Sequence, residues 1–287
     1  TVDFPFKDGN ISTQTYNNDK AQLENGKFLI VGKQDNPDWL WAQVWNVSPT
    51  GQSTGTIKLF EGEFDNINYP LAARISSTQA VIMYEDNNTD TIYGRVLTVD
   101  ASDNIVEGPR QVITETPSNL YRGSNDYSLL VYPVEPNRFW IFDDRNFSNV
   151  DVYEYTVSGN TISSTPPVTY TNLDNTRDND FKWLLVREIP GTTNFAIKMG
   201  RDLVIVDNSL TELSRFRPEN DYRWNFSIEN SSSYYFFFRD FSVATWDGSS
   251  SVFTDARLHY TSSGSSTYVW DVRQVDTNTW IVWHNEH

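Results

Sequence analysis

Short apolar runs alternate with polar clusters along the whole chain. The runs are rich in Val, Ile, Thr, Tyr, Phe and Trp, and Asn, Asp, Gly, Ser and Pro break them. Apolar positions recur every second residue or run continuously, and a period of 3.6 is nearly absent. That pattern predicts an all-β protein with tight turns. The one stretch compatible with a helical turn is Asp19–Glu24.

One apolar strand ending in an acidic or polar turn comes back along the sequence. It reads Phe28–Asp35, Val81–Asp86, Phe139–Asp144, Phe195–Gly200, Tyr235–Asp240 and Trp280–His284. Six copies give a mean period of roughly 48, the spacing of a four-stranded propeller blade. A second mark keeps the same phase, an Asn-Asp-like pair usually followed by an aromatic ahead of each copy. It is clearest at Asn125-Asp126, Asn179-Asp180 and Asn220-Asp221, and is present at Asn18-Asp19; Asn68-Tyr69 and Thr267-Tyr268 keep the aromatic but lose one or both polar partners. Each unit parses as four strands. In the second they are Leu71–Ile75, Ala80–Asp86, Thr91–Asp100 and Asn104–Ile113; in the third, Ser128–Val134, Arg138–Asp144, Val150–Val157 and Thr161–Tyr170. The first two strands of a unit are nearly all apolar and the last is more polar, the gradient of a radial blade. The expectation is one domain over residues 1–287, a six-bladed β-propeller of four-stranded antiparallel blades. A β-sandwich is the rival, but it needs no regular period. The last unit ends two strands short, and Val2–Tyr16 reads as a hairpin turning at Asp8-Gly9. That N-terminal hairpin is expected to complete the last blade.

Composition narrows the function. The 287 residues carry 22 Lys+Arg against 38 Asp+Glu, a net charge of −16, which argues against a nucleic-acid partner. There is no Cys, so disulfide scaffolds and thiol chemistry are excluded. The apolar runs are far shorter than the ~20 residues of a membrane helix, so no membrane partner is expected.

Three groups of residues carry candidate chemistry. The first is the repeated acidic positions Asp35, Asp86, Asp144 and Asp240, with Asp126, Asp180 and Asp221 of the Asn-Asp pairs. All are expected on one face of the propeller. They read either as a carboxylate ring for a hard cation such as Ca²⁺ or as caps that hydrogen-bond the turn backbone. Repetition in nearly every unit favours caps, and no Asp-x-Asp-x-Asp-Gly loop accompanies the metal reading. The expectation is no cofactor. The second group is the carboxylate pairs Glu85/Asp86 and Asp143/Asp144, with Asp240, which invite comparison with a glycoside hydrolase. Adjacent residues on a strand point to opposite faces, however, and a hydrolase needs unrepeated carboxylates. The third is Trp39, Trp41 and Trp45, which share one face of a strand and form an unrepeated aromatic stripe suited to stacking on sugar rings. Trp183, Trp224 and Trp270 hold a repeated position instead, as packing residues do. The three His residues, 259, 284 and 287, follow no metal or triad spacing. No catalytic residue and no metal ligand is assigned.

The phrase Ser77–Asp86 followed by Tyr93-Gly94-Arg95-Val96-Leu97-Thr98-Val99 resembles a degenerate repeat of bacteriophage tail-fibre and other virion-associated propellers. The third unit, Phe139–Asp144 and then Val152–Val157, is similar but looser. The resemblance implies a non-enzymatic module, on a virion or extracellular, for receptor binding or structural assembly. Its partners would be other virion or fibre proteins, or a cell-surface glycan. A secreted lectin-like propeller is the alternative, followed by a glycoside hydrolase.

Overall fold

The stretch with helical character is a strand. Along Asn18–Glu24 (β1), Ala21 and Leu23 are buried while Lys20, Gln22 and Glu24 are exposed. That alternation is the period of a half-buried strand, and packing of two apolar side chains on one face outweighs the local helical propensity. The computed structural model describes residues 18–24, 26–34, 39–60, 67–86, 88–89, 91–114, 129–134, 136–146, 149–171, 173, 185–199, 202–217, 226–230, 234–238, 242–248, 254–257, 268–276 and 279–285. Among them there is no helix.

The chain divides into two compact units, Thr1–Asp143 with Asp151–Pro167, and Asp144–Val150 with Val168–His287. The first unit holds three antiparallel sheets in chain order. Sheet one is β1, β2 (Lys27–Gln34), β3 (Trp39–Ser48), β4 (Gly51–Thr54) and β5 (Lys58–Phe60), with β4 and β5 both pairing with β3. Sheet two is β6 (Ile67–Arg74), β7 (Gln79–Asp86), β8 (Thr91–Val99), β9 (Ile105–Glu107) and β10 (Gln111–Thr114), with β9 and β10 both pairing with β8. Sheet three runs β11 (Leu129–Val134), β12 (Arg138–Asn146), β13 (Asn149–Ser158) and β14 (Thr161–Ser164). β15 (Val168–Tyr170) follows.

These sheets are one design used three times. The end of each third strand donates a backbone hydrogen bond into the turn between strands one and two. The bonds are Val47 N to Gly26 O (2.6 Å), Val99 N to Thr78 O (2.8 Å) and Val157 N to Asn137 O (2.8 Å). The sheets stack face to face. Leu29, Val31, Leu40, Ala42 and Val44 of sheet one share a core with Ala80, Ile82, Tyr84, Leu97 and Val99 of sheet two. The other face of sheet two, with Val81, Met83, Ile92 and Val96, packs on Phe139, Ile141, Tyr155 and Val157 of sheet three. Second strands are buried on both faces, whereas β4 is exposed throughout and β14 nearly so.

The outer strand departs from the expected single segment. Asn104–Ile113 is β9 and β10, separated by Gly108-Pro109-Arg110, and Thr161–Tyr170 is β14 and β15, separated by Thr165-Pro166-Pro167. Proline has no N–H for the ladder, so the strand leaves its partner at each break.

In the second unit, sheet four is β16 (Leu185–Glu188), β17 (Phe195–Met199), β18 (Asp202–Val206) and β19 (Glu212–Phe216). Every side chain of β17 and β18 is buried, including Lys198 and Asp202. The Asp202 carboxylate is held by Arg217 through a two-bond fork, Nε to Oδ1 at 2.7 Å and Nη2 to Oδ2 at 2.8 Å. Sheet five is β20 (Phe226–Asn230), β21 (Tyr234–Phe238), β22 (Ser242–Trp246) and β23 (Thr254–Arg257). β24 (Tyr268–Asp276) and β25 (Thr279–Asn285) pair as a sixth, two-stranded sheet. The hairpin over residues 1–16 that was expected to extend it lies outside the described residues.

Candidate functional site

Asp86 closes β7 and shapes the turn to β8. Its Oδ1 accepts the Asn88 N–H at 3.0 Å and its carbonyl accepts the Thr89 N–H at 3.2 Å. That is an Asx turn, in which the carboxylate replaces a backbone acceptor. Asp144 lies on β12, with its side chain outside the described residues. Asp35, Asp126, Asp180, Asp221 and Asp240 lie outside them altogether, as do Trp183 and Trp224. The strands carrying Trp270 and His284 are described, but not these side chains.

The Asp of the first Asn-Asp pair does more than cap. Asp19 Oδ2 accepts the Ala72 N–H at 2.8 Å, so β1 of sheet one is tied to β6 of sheet two. Burial pushes the Asp19 carboxyl above its ordinary value, against the pull of the Ala72 bond. Local turn logic misses this role, because the partner is 53 residues away.

Two further turns reuse one Asp in the same way. Asp100 Oδ1 accepts from Ser102 N (2.8 Å) and Asn104 N (2.9 Å); Asp207 Oδ1 accepts from Ser209 N (2.8 Å) and Thr211 N (2.9 Å). The residue three along, Asp103 or Leu210, takes positive φ, 62° and 63°. The signal was present in the sequence as Asp-x-Ser-x-Asn and Asp-x-Ser-x-Thr at the joint between third and fourth strands. The Asn104 side chain and these backbone donors hold the Asp100 carboxyl below its ordinary value. In unit two the Tyr170 hydroxyl donates to Leu210 O at 2.6 Å, and burial pushes that phenol far above its usual range.

The tryptophan stripe is on one face, but it is not a platform along its length. Trp41 is 1% exposed and Trp45 4%, and they cluster with Ile30, Phe28 and Leu59 on the face of sheet one turned away from sheet two. Trp45 Nε1 donates to Gln43 Oε1 at 2.9 Å, and Gln43 Nε2 to Gly55 O at 2.9 Å. A ring enclosed in this way cannot stack on a sugar, which corrects the expectation for Trp41 and Trp45. Trp39, at the start of β3, is half-buried and keeps part of its surface in solvent.

Trp39 and Asp86 sit at corresponding ends of neighbouring sheets, beside the hairpins joining second to third strands. At that end of sheet two, Tyr84 and Tyr93 stack with centroids 6.1 Å apart, and the Arg110 guanidinium stands 4.5 Å over the Tyr93 ring. Tyr84 is enclosed in the core, so the accessible groups at this end are the part-exposed Tyr93, the exposed Arg110 and the turn-bound Asp86. Among the described residues no three His, Asp or Glu side chains converge on a point that could hold a metal ion.

No protein-family model and no curated protein sequence matches the chain. Solved structures do. A protein from Lactobacillus plantarum aligns at TM-score 0.47 and 13% identity over 79% of this chain and 65% of that one. A prolyl endopeptidase aligns at TM-score 0.41 and 13% identity over 82% and 33%. Sqt1 of Chaetomium thermophilum, solved with the N-terminus of ribosomal protein L10, aligns at TM-score 0.36 and 12% identity over 96% of both chains. The chain thus spans less than two thirds of the length of the first two.

Proposed function

We propose that the chain is a six-bladed β-propeller, closed on its last blade by the N-terminal hairpin, and that it serves as a non-enzymatic binding module of a virion or tail fibre. The observation that carries this reading is the threefold reuse of one sheet design in the first unit, stacked in one sense. Such stacking presents the strand-end hairpins of successive sheets side by side, as a rigid display. Asp86, Asp100 and Asp207 each hold the backbone of their own turn, which supports the rigidity of that display.

Electron-microscope class averages of the isolated protein test the fold, with a disc of six lobes expected. Immunogold labelling of particles from the source culture tests the setting. Label on particles is expected, and label confined to the particle-free fraction overturns the virion role. The second reading, a secreted glycan-binding propeller, is favoured by the part-exposed Trp39. Trp39→Ala in a glycan-array assay then removes binding while leaving the melting temperature nearly unchanged.

A further inference from the structure

The three outer strands of the first unit each bond back to their third strand at the break, at Gly55, Gly108 and Thr165, and the first two of these notches hold a turn of the following sheet. After β4, the Gly55 N–H bonds to Val44 O at 2.8 Å; after β9, the Gly108 N–H bonds to Val96 O at 2.8 Å. A Cβ on Gly55 would lie 3.0 Å from the Asp103 carbonyl oxygen, and one on Gly108 would lie 3.1 Å from the Asn160 Cβ. Glycine lets the β8–β9 turn approach sheet one, and the β13–β14 turn sheet two, a few tenths of an ångström closer than a residue with a Cβ would.

The seats share a shape but differ in chemistry. At the first seam the contact is charged. Lys27 Nζ stands 3.0 Å from Asp103 Oδ1, and Asn46 Nδ2 donates to Asp103 Oδ2 at 2.7 Å. Lys27 also lies 3.2 Å from Glu24, and the Asp100 carboxylate acts on Asp103 as a like charge. At the second seam one uncharged side chain of sheet two meets the backbone of the incoming turn. Gln111 Nε2 donates to Asn160 O at 2.7 Å, and its Oε1 accepts the Ile162 N–H at 2.9 Å. One side chain thus imitates a stretch of strand.

A chain of similar sheets has an ordering problem, since any sheet presents an apolar face to any other. We propose that these turns are keyed hooks, sharing one notch but held by different side chains (Lys27 and Asn46 on the Asp103 carboxylate, Gln111 on the backbone of the Asn160 turn), so that each turn seats only on the sheet that precedes it. In the wrong notch, the Asp103 carboxylate would meet Gln111 and no cation. The Asn160 turn, in the first notch, would leave Lys27 and Asn46 without their acceptor. The positive φ of Asp103 is a conformation that Asp tolerates better than most residues, and it aims the carboxylate across the seam.

Native-state hydrogen exchange on the full chain tests the keys with Lys27→Glu, Asp103→Lys and the double substitution. Each single change should speed exchange at the ends of β3 and β4 and in the 100–104 turn by about fivefold, leaving the Asn160 seam as it was. The double restores protection to within about twofold. Lys27→Gln gives a smaller rise at the same place, and stays readable where a charge reversal blocks folding. A chimera carrying Ser158–Thr161 in place of the 100–104 turn loses protection at the first seam, although its turn is a good hairpin former. A double substitution whose exchange equals the sum of the singles overturns the proposal. So does a chimera that exchanges like the parent, or a rise spread evenly over all sheets.

Discussion

Asp19 holds its carboxylate on the Ala72 amide of the neighbouring sheet, and burial raises its pKa above that of the unfolded chain. A raised carboxyl pKa means that the native state binds the proton more tightly. Its contribution to stability is full below the unfolded pKa and is lost as pH rises through the folded value. Asp19→Asn keeps an oxygen for Ala72 and removes the charge. Chemical denaturation at neutral pH should find the variant as stable as the parent or more so, with the gain fading as pH falls through the carboxyl range. Gly26 makes the opposite case. Its φ is +77°, and an added Cβ would run into the Val47 carbonyl that closes the sheet. Gly26→Ala should cost about 1–3 kcal/mol from backbone strain before the clash is counted, read from the denaturation midpoint. At this scale the sequence was legible where a side chain serves its own turn, as Asp86 does. It was silent where the partner is another sheet, because Asp19 and Asp103 look like any turn carboxylate until the stacking is known.

The strands themselves were legible because each needs only its own alternation and its own turn residues. β7, β8 and β25 lie within a residue or two of the expected limits. Asp19–Glu24 was ambiguous because six residues hold too few turns of either period to decide. The broken outer strands were missed although Gly108-Pro109 and Pro166-Pro167 stand in plain view, since a polar run with one repeat length reads as continuous. The Trp stripe illustrates what periodicity leaves open: it places residues on a face and does not say what covers that face. Trp41→Ala should therefore cost about 3–5 kcal/mol in thermal or denaturant unfolding, as large-to-small changes in a packed core do. Trp39→Ala should change stability far less.

For the molecule as a whole, the net charge of −16 and the Asp-rich turns predict opposite responses to Ca²⁺ under the two sequence readings. With Asp86, Asp100 and Asp207 engaged by backbone donors, the capping reading expects added Ca²⁺ to leave the melting temperature unchanged in a titration followed by calorimetry. A rise that grows with concentration would mark a native-state cation site. Removing residues 1–16 tests the proposed closure: the shortened chain should aggregate or lose its cooperative transition, and one that melts like the parent rules the closure out. The interrupted outer strands have a consequence for how such molecules behave in company. β4 and β5 offer four and three residues, and β9 and β10 offer three and four, with a change of direction between. A strand arriving from a second molecule finds no unbroken ladder on which to extend itself. The rims of sheets one and two thus offer little ladder for edge-to-edge growth by their geometry, as charge does by repulsion.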